Sequence, residues 1–173
     1  MPRTAREVMV PLDEYPHAFE HQSLRDAVRL LDTAQIRFNN TTSMPRILLV
    51  FDDMNRLVGM ARRRDILGGL EPAYDPELDS THPEAHFKTE IDPNLTDLAG
   101  DENPERLRRK LDRTLSEVVR ELEGQVDVDD SIMKVVRELV GKDTHIAAVL
   151  DDGQVIGVVR TLDVLRTLTE DLI

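Results

Sequence analysis

The sequence predicts an α/β fold made from one supersecondary unit used twice, and three observations carry that prediction. The first is internal repetition. Residues 58–67 read Val-Gly-Met-Ala-Arg-Arg-Arg-Asp-Ile-Leu, and residues 156–165 read Ile-Gly-Val-Val-Arg-Thr-Leu-Asp-Val-Leu. Gly59 maps onto Gly157, Arg62 onto Arg160 and Asp65 onto Asp163 at one constant offset. The second is that the repetition reaches upstream: Thr4–Met9 matches Thr114–Val119, and Ser23–Val28 matches Ser131–Val136. The third is that short apolar runs alternate with helical periodicity in the same order in both copies. Two copies of one unit pack together and bury a shared face. The cleft between them is a ready place for a small ligand.

The elements follow in order. His17-Ala18-Phe19 is a short strand. Ser23 is an N-cap, and Leu24, Ala27, Val28, Leu31 and Ala34 recur behind it at helical spacing. The polar, breaker-rich stretch Phe38–Pro45 accommodates about ten residues that copy one has and copy two lacks. The runs Ile47–Phe51 and Leu57–Ala61 flank the turn Asp52–Asn55, and a helix follows over 63–70. In copy two, Gln125–Val128 is the short strand. Ser131 caps a helix whose Ile132, Val135, Val136, Leu139 and Val140 share a face, with Gly141 closing it. Ile146–Leu150 turns at Asp151-Asp152-Gly153 into Val155–Val159, and Asp-Gly between two apolar runs is a strong hairpin signal. The last helix spans 161–172, with Thr161 suited to be its N-cap.

These elements place the first repeat in residues 1–70 and a helix plus the second repeat in 104–173. Leu107, Leu111, Leu115 and Val118 predict that the helix runs on from Pro104. Residues 71–103, with Pro72, Pro76, Pro83 and Pro93 and many acids, form a connecting surface segment, or one that binds a partner or acts as a lid.

Composition narrows the function. The chain of 173 residues is one domain or a tight pair, and with 3% aromatics and no Trp its core is aliphatic. A net charge of −12 repels phosphate backbones and anionic lipid, which argues against nucleic-acid or membrane-surface binding. The absence of cysteine excludes disulfides and thiol chemistry and fits a reducing interior. No apolar run follows the basic N-terminal residues, so the expected location is cytoplasmic. No nucleophile elbow, Walker loop, dinucleotide fingerprint or paired catalytic carboxylate set occurs, and the expectation is that the protein is not an enzyme. His82 and His86 are four apart, but their proline-rich flanks argue against a helix and no further ligand accompanies them, so no metal is expected.

The residues that invite a chemical reading lie in the repeated motif. Asp65 and Asp163 fall in the first turn of a helix, where a carboxylate complements the macrodipole; the other reading has them facing a cleft. Arg62-Arg63-Arg64 puts three cations where they oppose that dipole. Such a cluster either holds an anion or is a solvated patch pairing with this chain's many acids. Gly59 and Gly157 allow close backbone approach, for packing or for a ligand.

The motifs Gly59-Met60-Ala61-Arg62-Arg63-Arg64-Asp65 and Gly157-Val158-Val159-Arg160-Thr161-Leu162-Asp163, each after a matching helix and hairpin, resemble a tandem pair of CBS domains, the modules named after cystathionine β-synthase. The resemblance covers nearly the whole chain except about 71–103. It implies pseudo-twofold-related repeats of strand, helix, hairpin and helix, with small mixed sheets flanked by helices and two clefts. It also implies a regulatory module that senses an adenine nucleotide (AMP, ADP or ATP) or S-adenosylmethionine and signals to a partner protein. The alternative is a structural or protein-interaction pair whose clefts are unoccupied. By position, Asp65 and Asp163 inherit the family's ribose contact. Arg62 and Arg160 stand where the family has Thr or Ser, which replaces a hydroxyl contact with a guanidinium and favours phosphate. The ligand-binding residues expected on this basis are Gly59, Arg62, Asp65, Gly157, Arg160 and Asp163. The resemblance further implies a homodimer packed through helices. The sequence adds the apolar residues Leu162, Val164, Leu165, Leu168 and Leu172 of the last helix, and Ile66, Leu67 and Leu70 earlier.

Overall fold

The computed structural model describes residues 3–71 and 104–170. Residues 72–103, with His82 and His86, and Leu172 therefore lie outside the described residues. Along the chain come α1 (Ala5–Val8), β1 (Val10–Pro11), a 3-10 turn at Leu12–Glu14, β2 (His17–Phe19), α2 (Leu24–Thr33), β3 (Ile36–Phe38), β4 (Thr41–Ser43), β5 (Ile47–Phe51), β6 (Leu57–Arg62) and α3 (Arg63–Leu70). Then follow α4 (Pro104–Leu111), a 3-10 turn at Leu115–Glu117, β7 (Gln125–Asp127), α5 (Ile132–Gly141), β8 (Ile146–Asp151), β9 (Gln154–Arg160) and α6 (Thr161–Glu170).

The two repeats share their pairing down to single residues. β2 runs parallel to β5 with Ala18 opposite Val50, and β7 runs parallel to β8 with Val126 opposite Val149. β5 pairs antiparallel with β6 and β8 with β9, placing Gly59 opposite Val50 and Gly157 opposite Val149. Each hairpin has a register shift at the same place, between Val50 and Phe51 and between Val149 and Leu150. Asp152 and Gly153 both take positive φ, as a two-residue I′ turn demands.

The apolar runs of β5 and β8 are continuous because both faces of each sheet are buried. Leu48 and Val50 face α2 and α3 in a cluster with Leu24, Ala27, Leu31 and Ile66. Ala147 and Val149 face the helices of the second repeat, with Ile132, Val135, Leu139 and Val164. The alternate residues Leu49, Phe51, Ile146 and Ala148 meet between the two sheets, together with Val10, Tyr15, Ile36, Leu122 and Val158. Helices thus cover one face of each sheet, and the other faces form the seam between repeats.

The segment before each repeat is exchanged. β1 joins the sheet of the second repeat, with Val10 opposite Val158. Ala5 and Val8 fill that repeat's core, and the Ala5 amide donates to the Asp130 carbonyl. Reciprocally, Leu115 fills the core of the first repeat, its amide donates to Gln22, and Met60 and Arg120 exchange two backbone hydrogen bonds. The matching sequences Thr4–Met9 and Thr114–Val119 are this exchanged pair. Thr4 bridges to Ser131 and Thr114 to Ser23, so each segment docks on the N-cap of the other repeat's main helix.

Four expectations change in detail. α4 ends at Leu111, and Leu115 and Val118 lie beyond it on the docked segment, where Leu115 is pulled into the first repeat's core. Gly141 is the last helical residue and not the turn residue after it; Asp143 takes the left-handed conformation instead, at φ 50°. The stretch Phe38–Pro45 is not irregular throughout: Asn39 and Asn40, both at positive φ, close the β3–β4 hairpin. In addition, Thr161 is the first residue of α6, and its hydroxyl donates to the His145 carbonyl instead of capping.

The exchange explains Gly59 and Gly157 as packing residues. A β-carbon at 59 would run into the Arg120 carbonyl oxygen and stand 2.9 Å from Val119. One at 157 would stand 2.5 Å from the Val10 carbonyl oxygen. Both obstacles are backbone and cannot rotate away. Gly59→Ala and Gly157→Ala are each expected to lower the unfolding free energy by about 1–3 kcal/mol. Gly68→Ala, on a helix where a β-carbon meets nothing within 4 Å, should raise it by up to ~1 kcal/mol. Urea denaturation of the three variants checks both signs.

Candidate functional site

Arg62 ends β6 in extended backbone and is the N-cap of α3, and Asp65 is the third residue of that helix. This spacing turns the carboxylate back toward the helix start. Its Oδ2 accepts from the Arg62 amide at 3.0 Å and from Arg62 Nε at 2.8 Å, and its Oδ1 accepts from Arg62 Nη2 at 2.9 Å. Arg120, brought in by the exchanged segment, donates from Nε to Oδ1 at 2.6 Å. Four donors fill the roughly four acceptor positions of one carboxylate. The Asp65 side chain is only 2% exposed.

Burial pushes the Asp65 carboxyl up, and the hydrogen bonds from the Arg62 side chain, the Arg62 amide and Arg120 override it, holding it down at about 2. The arginine cluster read from sequence is therefore divided. Arg62 turns onto Asp65, Arg63 donates to the Pro45 carbonyl at 3.0 Å, and Arg64 is exposed.

Asp163 is placed the same way in the second repeat. Arg160, the last residue of β9, makes a two-pronged pair with it through Nε and Nη2, the latter at 2.8 Å. Here the two sites part. Arg160 spends its remaining Nη1 on the Ser43 hydroxyl at 2.9 Å, and Arg166 donates to the Thr41 hydroxyl at 2.9 Å. Both hydroxyls belong to the β3–β4 hairpin. Tyr15 is buried nearby, donates to the Ile47 carbonyl at 3.2 Å, and has its phenol pushed up by that burial. The Arg160 side chain is 12% exposed, against 37% for Arg62 and 62% for Arg120.

The first site opens into a cleft of about 560 Å³ between the repeats. Ile47, Met60 and Arg62 line it from the first repeat, Lys142 and His145 from the second, and Arg120 from the segment leading into β7. Glu121, Glu123 and Asp143 line the same cleft. Asp65 and Arg62 come together at the start of α3, and Asp163 and Arg160 at the start of α6. The two carboxylates, however, are engaged by arginines of their own chain. Arg120, Arg166, Ser43, Thr41 and Tyr15 are absent from the motif-based reading. A signal for Arg120 does exist: it follows the repeated Thr114–Val119, where Thr4–Met9 is followed by apolar Val10. Among the described residues no group of three or more His, Asp or Glu side chains could hold a metal ion.

Comparison with known proteins agrees with this fold. The family model of the CBS domain matches residues 5–71 and 117–170, and the chain belongs to that family, as a tandem pair. Among solved structures it is similar to a CBS domain-containing protein of unknown function from Kribbella flavida, at 17% identity and TM-score 0.63, covering 96% of this chain and 99% of that one. It is also similar to CBSX2 in complex with AMP, at 17% identity and TM-score 0.61, covering 98% of each chain. The CBS domain of a bacterial CNNM/CorC family Mg2+ transporter in complex with ATP matches at 18% identity and TM-score 0.61, covering 96% of this chain and 87% of that one. No curated protein matches the sequence.

The Asp65 triad makes a pH prediction. Its folded pKa lies below the unfolded 3.8, so the stabilisation is complete above about pH 5 and lost as pH falls through about 2. At pH 7 Asp65→Asn should lower stability by about 2 kcal/mol. The gap to wild type should shrink as pH drops from about 5 toward 2. Urea unfolding across that range checks the sign: a gap that widens with acid contradicts the assignment.

Proposed function

We propose that this CBS pair is a regulatory module, not an enzyme, that binds an anionic adenine nucleotide in the first cleft and passes the bound state to a partner protein in the cytoplasm. One observation carries the reading. In the open cleft two guanidiniums, Arg62 and Arg120, share one carboxylate, so that cluster keeps one net positive charge and spare N–H donors remain on both forks. Lys142 lines the same cleft from the second repeat. An arginine pre-positioned by a buried carboxylate loses little freedom when it takes a phosphate.

This differs from the role inherited by position. Asp65 acts here through the arginines, because its acceptor positions are already taken. The two guanidiniums also disfavour the sulfonium of S-adenosylmethionine, which is positive. That two neighbouring structures hold AMP and ATP supports the ligand class. The reading of the pair as a purely structural module draws on the saturated Asp65 and the shielded Asp163, and the binding experiment separates the two.

Titration calorimetry should show ADP binding and adenosine binding much more weakly. Arg62→Ala and Arg120→Ala should each weaken ADP roughly 10- to 100-fold. The exposed Arg64→Ala should leave it unchanged. Equal affinity for ADP in all three variants, or no binding to wild type, would favour the structural reading.

We also propose a homodimer. Leu162 and Leu165 on α6 are 44% and 54% exposed, and Met133 and Val140 on α5 are 59% and 75% exposed. Val28 and Leu67 repeat the pattern on α2 and α3. Val164, by contrast, points into the core. A self-complementary contact buries such surfaces with one symmetric interface. Light scattering at micromolar concentration should give twice the chain mass of 19.7 kDa, and a mass near the single chain would refute it.

A further inference from the structure

We propose that the second cleft carries its own occupant. The β3–β4 hairpin, an insertion in the first repeat alone, places its Thr41 and Ser43 hydroxyls on the two guanidiniums that would otherwise grip an anion, so each chain takes one nucleotide and not two. The count of one rests on the first-cleft reading; the blocked second cleft does not.

The residue correspondences locate the hairpin. Ile47 pairs with Arg62, and Ile146 pairs with Arg160. The Arg63 amide donates to the Arg46 carbonyl just as the Thr161 amide donates to the His145 carbonyl. Residues 43–46 thus occupy, against Arg160, the place that residues 142–145 occupy against Arg62. In the first cleft that loop leaves the Arg62 side chain 37% exposed and the cavity open. In the second, Ser43 reaches Arg160 directly and the arginine is 12% exposed.

Each cleft starts from the same arginine–aspartate pair and is finished differently. Each cleft has two arginines and one buried aspartate: Arg62 and Arg120 both bond Asp65, while Arg160 alone bonds Asp163 and Arg166 lies against the hairpin. In the second, the donors left over go to two neutral hydroxyls, which accept hydrogen bonds as a phosphate would but bring no charge. The hairpin is fixed in place. Ile36 is 1% exposed in the seam between the sheets, Phe38 packs against the same cluster, and the I′ turn at Asn39 and Asn40 sets the strand register. An occupant tethered in the same chain competes at a high effective concentration, so a soluble anion at ordinary concentration does not displace it.

Titration calorimetry with ADP tests this. The full chain should bind one ADP. A variant with residues 37–44 replaced by Gly-Ser-Gly should bind two, and Arg160→Ala in that background should return it to one. Thr41→Ala with Ser43→Ala keeps the hairpin but removes the accepting oxygens, and should gain a second, weaker site that Arg160→Ala abolishes. Adding Arg62→Ala and Arg120→Ala to the shortened chain leaves the second cleft to report alone. Two ADP per wild-type chain, or no gained site in either hairpin variant with a wild-type far-UV circular dichroism spectrum, overturns the proposal. No ADP on wild type but one on the shortened chain, lost with Arg160→Ala, overturns the first-cleft reading and upholds this one.

Discussion

The carbonyl oxygen of Arg120 sits where residue 59 would need a side chain, and the carbonyl oxygen of Val10 sits where residue 157 would need one. That contact, made twice, is what the remainder of the molecule depends on. It lets a segment from outside each repeat lie flat against the repeat's last strand, so neither sheet is complete without the other half of the chain. The seam between the sheets then fills with Leu49, Phe51, Ile146 and Ala148 on one alternation of the strands. The opposite alternation builds the two helix-covered cores. The same close approach delivers Arg120 to Asp65. Packing and the cleft's charge therefore share one cause.

The two halves show how a symmetric plan becomes asymmetric with few changes. Both repeats set an arginine at the helix start and an aspartate three residues on, and both pairs lock two-pronged. What separates them is the third group. On one side the exchanged segment supplies a second cation and a loop that stands back. On the other it supplies apolar Val10, and the longer first-repeat loop folds over the arginine. A buried carboxylate with an arginine is costly to leave half-matched, which keeps each pair intact whatever covers it.

Most of the fold was legible because the signals were local and came twice. Ser23 and Ser131 both cap their helices through the hydroxyl, at Asp26 and Lys134, as their position before an apolar periodicity suggested. The hairpin turn at Asp152-Gly153 and the strand pairs were equally plain. What escaped depended on long-range placement. Leu115 continues the helical spacing of Leu107 and Leu111, yet it is drawn into the first repeat by hydrogen bonds from its own amide to the Gln22 carbonyl and from the Ser116 amide to the Glu20 carbonyl, which periodicity does not encode. Asn39-Asn40 carries a turn signal, but the polar residues around it read as loop because β3 and β4 are three residues each. In the site, the motif singled out Arg62, Asp65, Arg160 and Asp163 as candidate ligand contacts. It did not reveal that they meet each other, because Thr or Ser in place of arginine could not have saturated the carboxylate.

The exchanged strand also sets the order in which the protein comes to exist. β1 pairs with the middle of β9, and about 150 residues of chain separate Val10 from Val158. On the ribosome, at roughly 5–20 residues per second, the first segment waits on the order of ten seconds before its partner strand is made. During that interval Val10 has no ladder to join, and Ala5 and Val8 have no core to fill. β1 is two residues long and ends in Pro11, which offers no amide to a stray strand. The brevity of that strand is the property that lets a nascent chain hold it unpaired without aggregating, while the second repeat is still being synthesised.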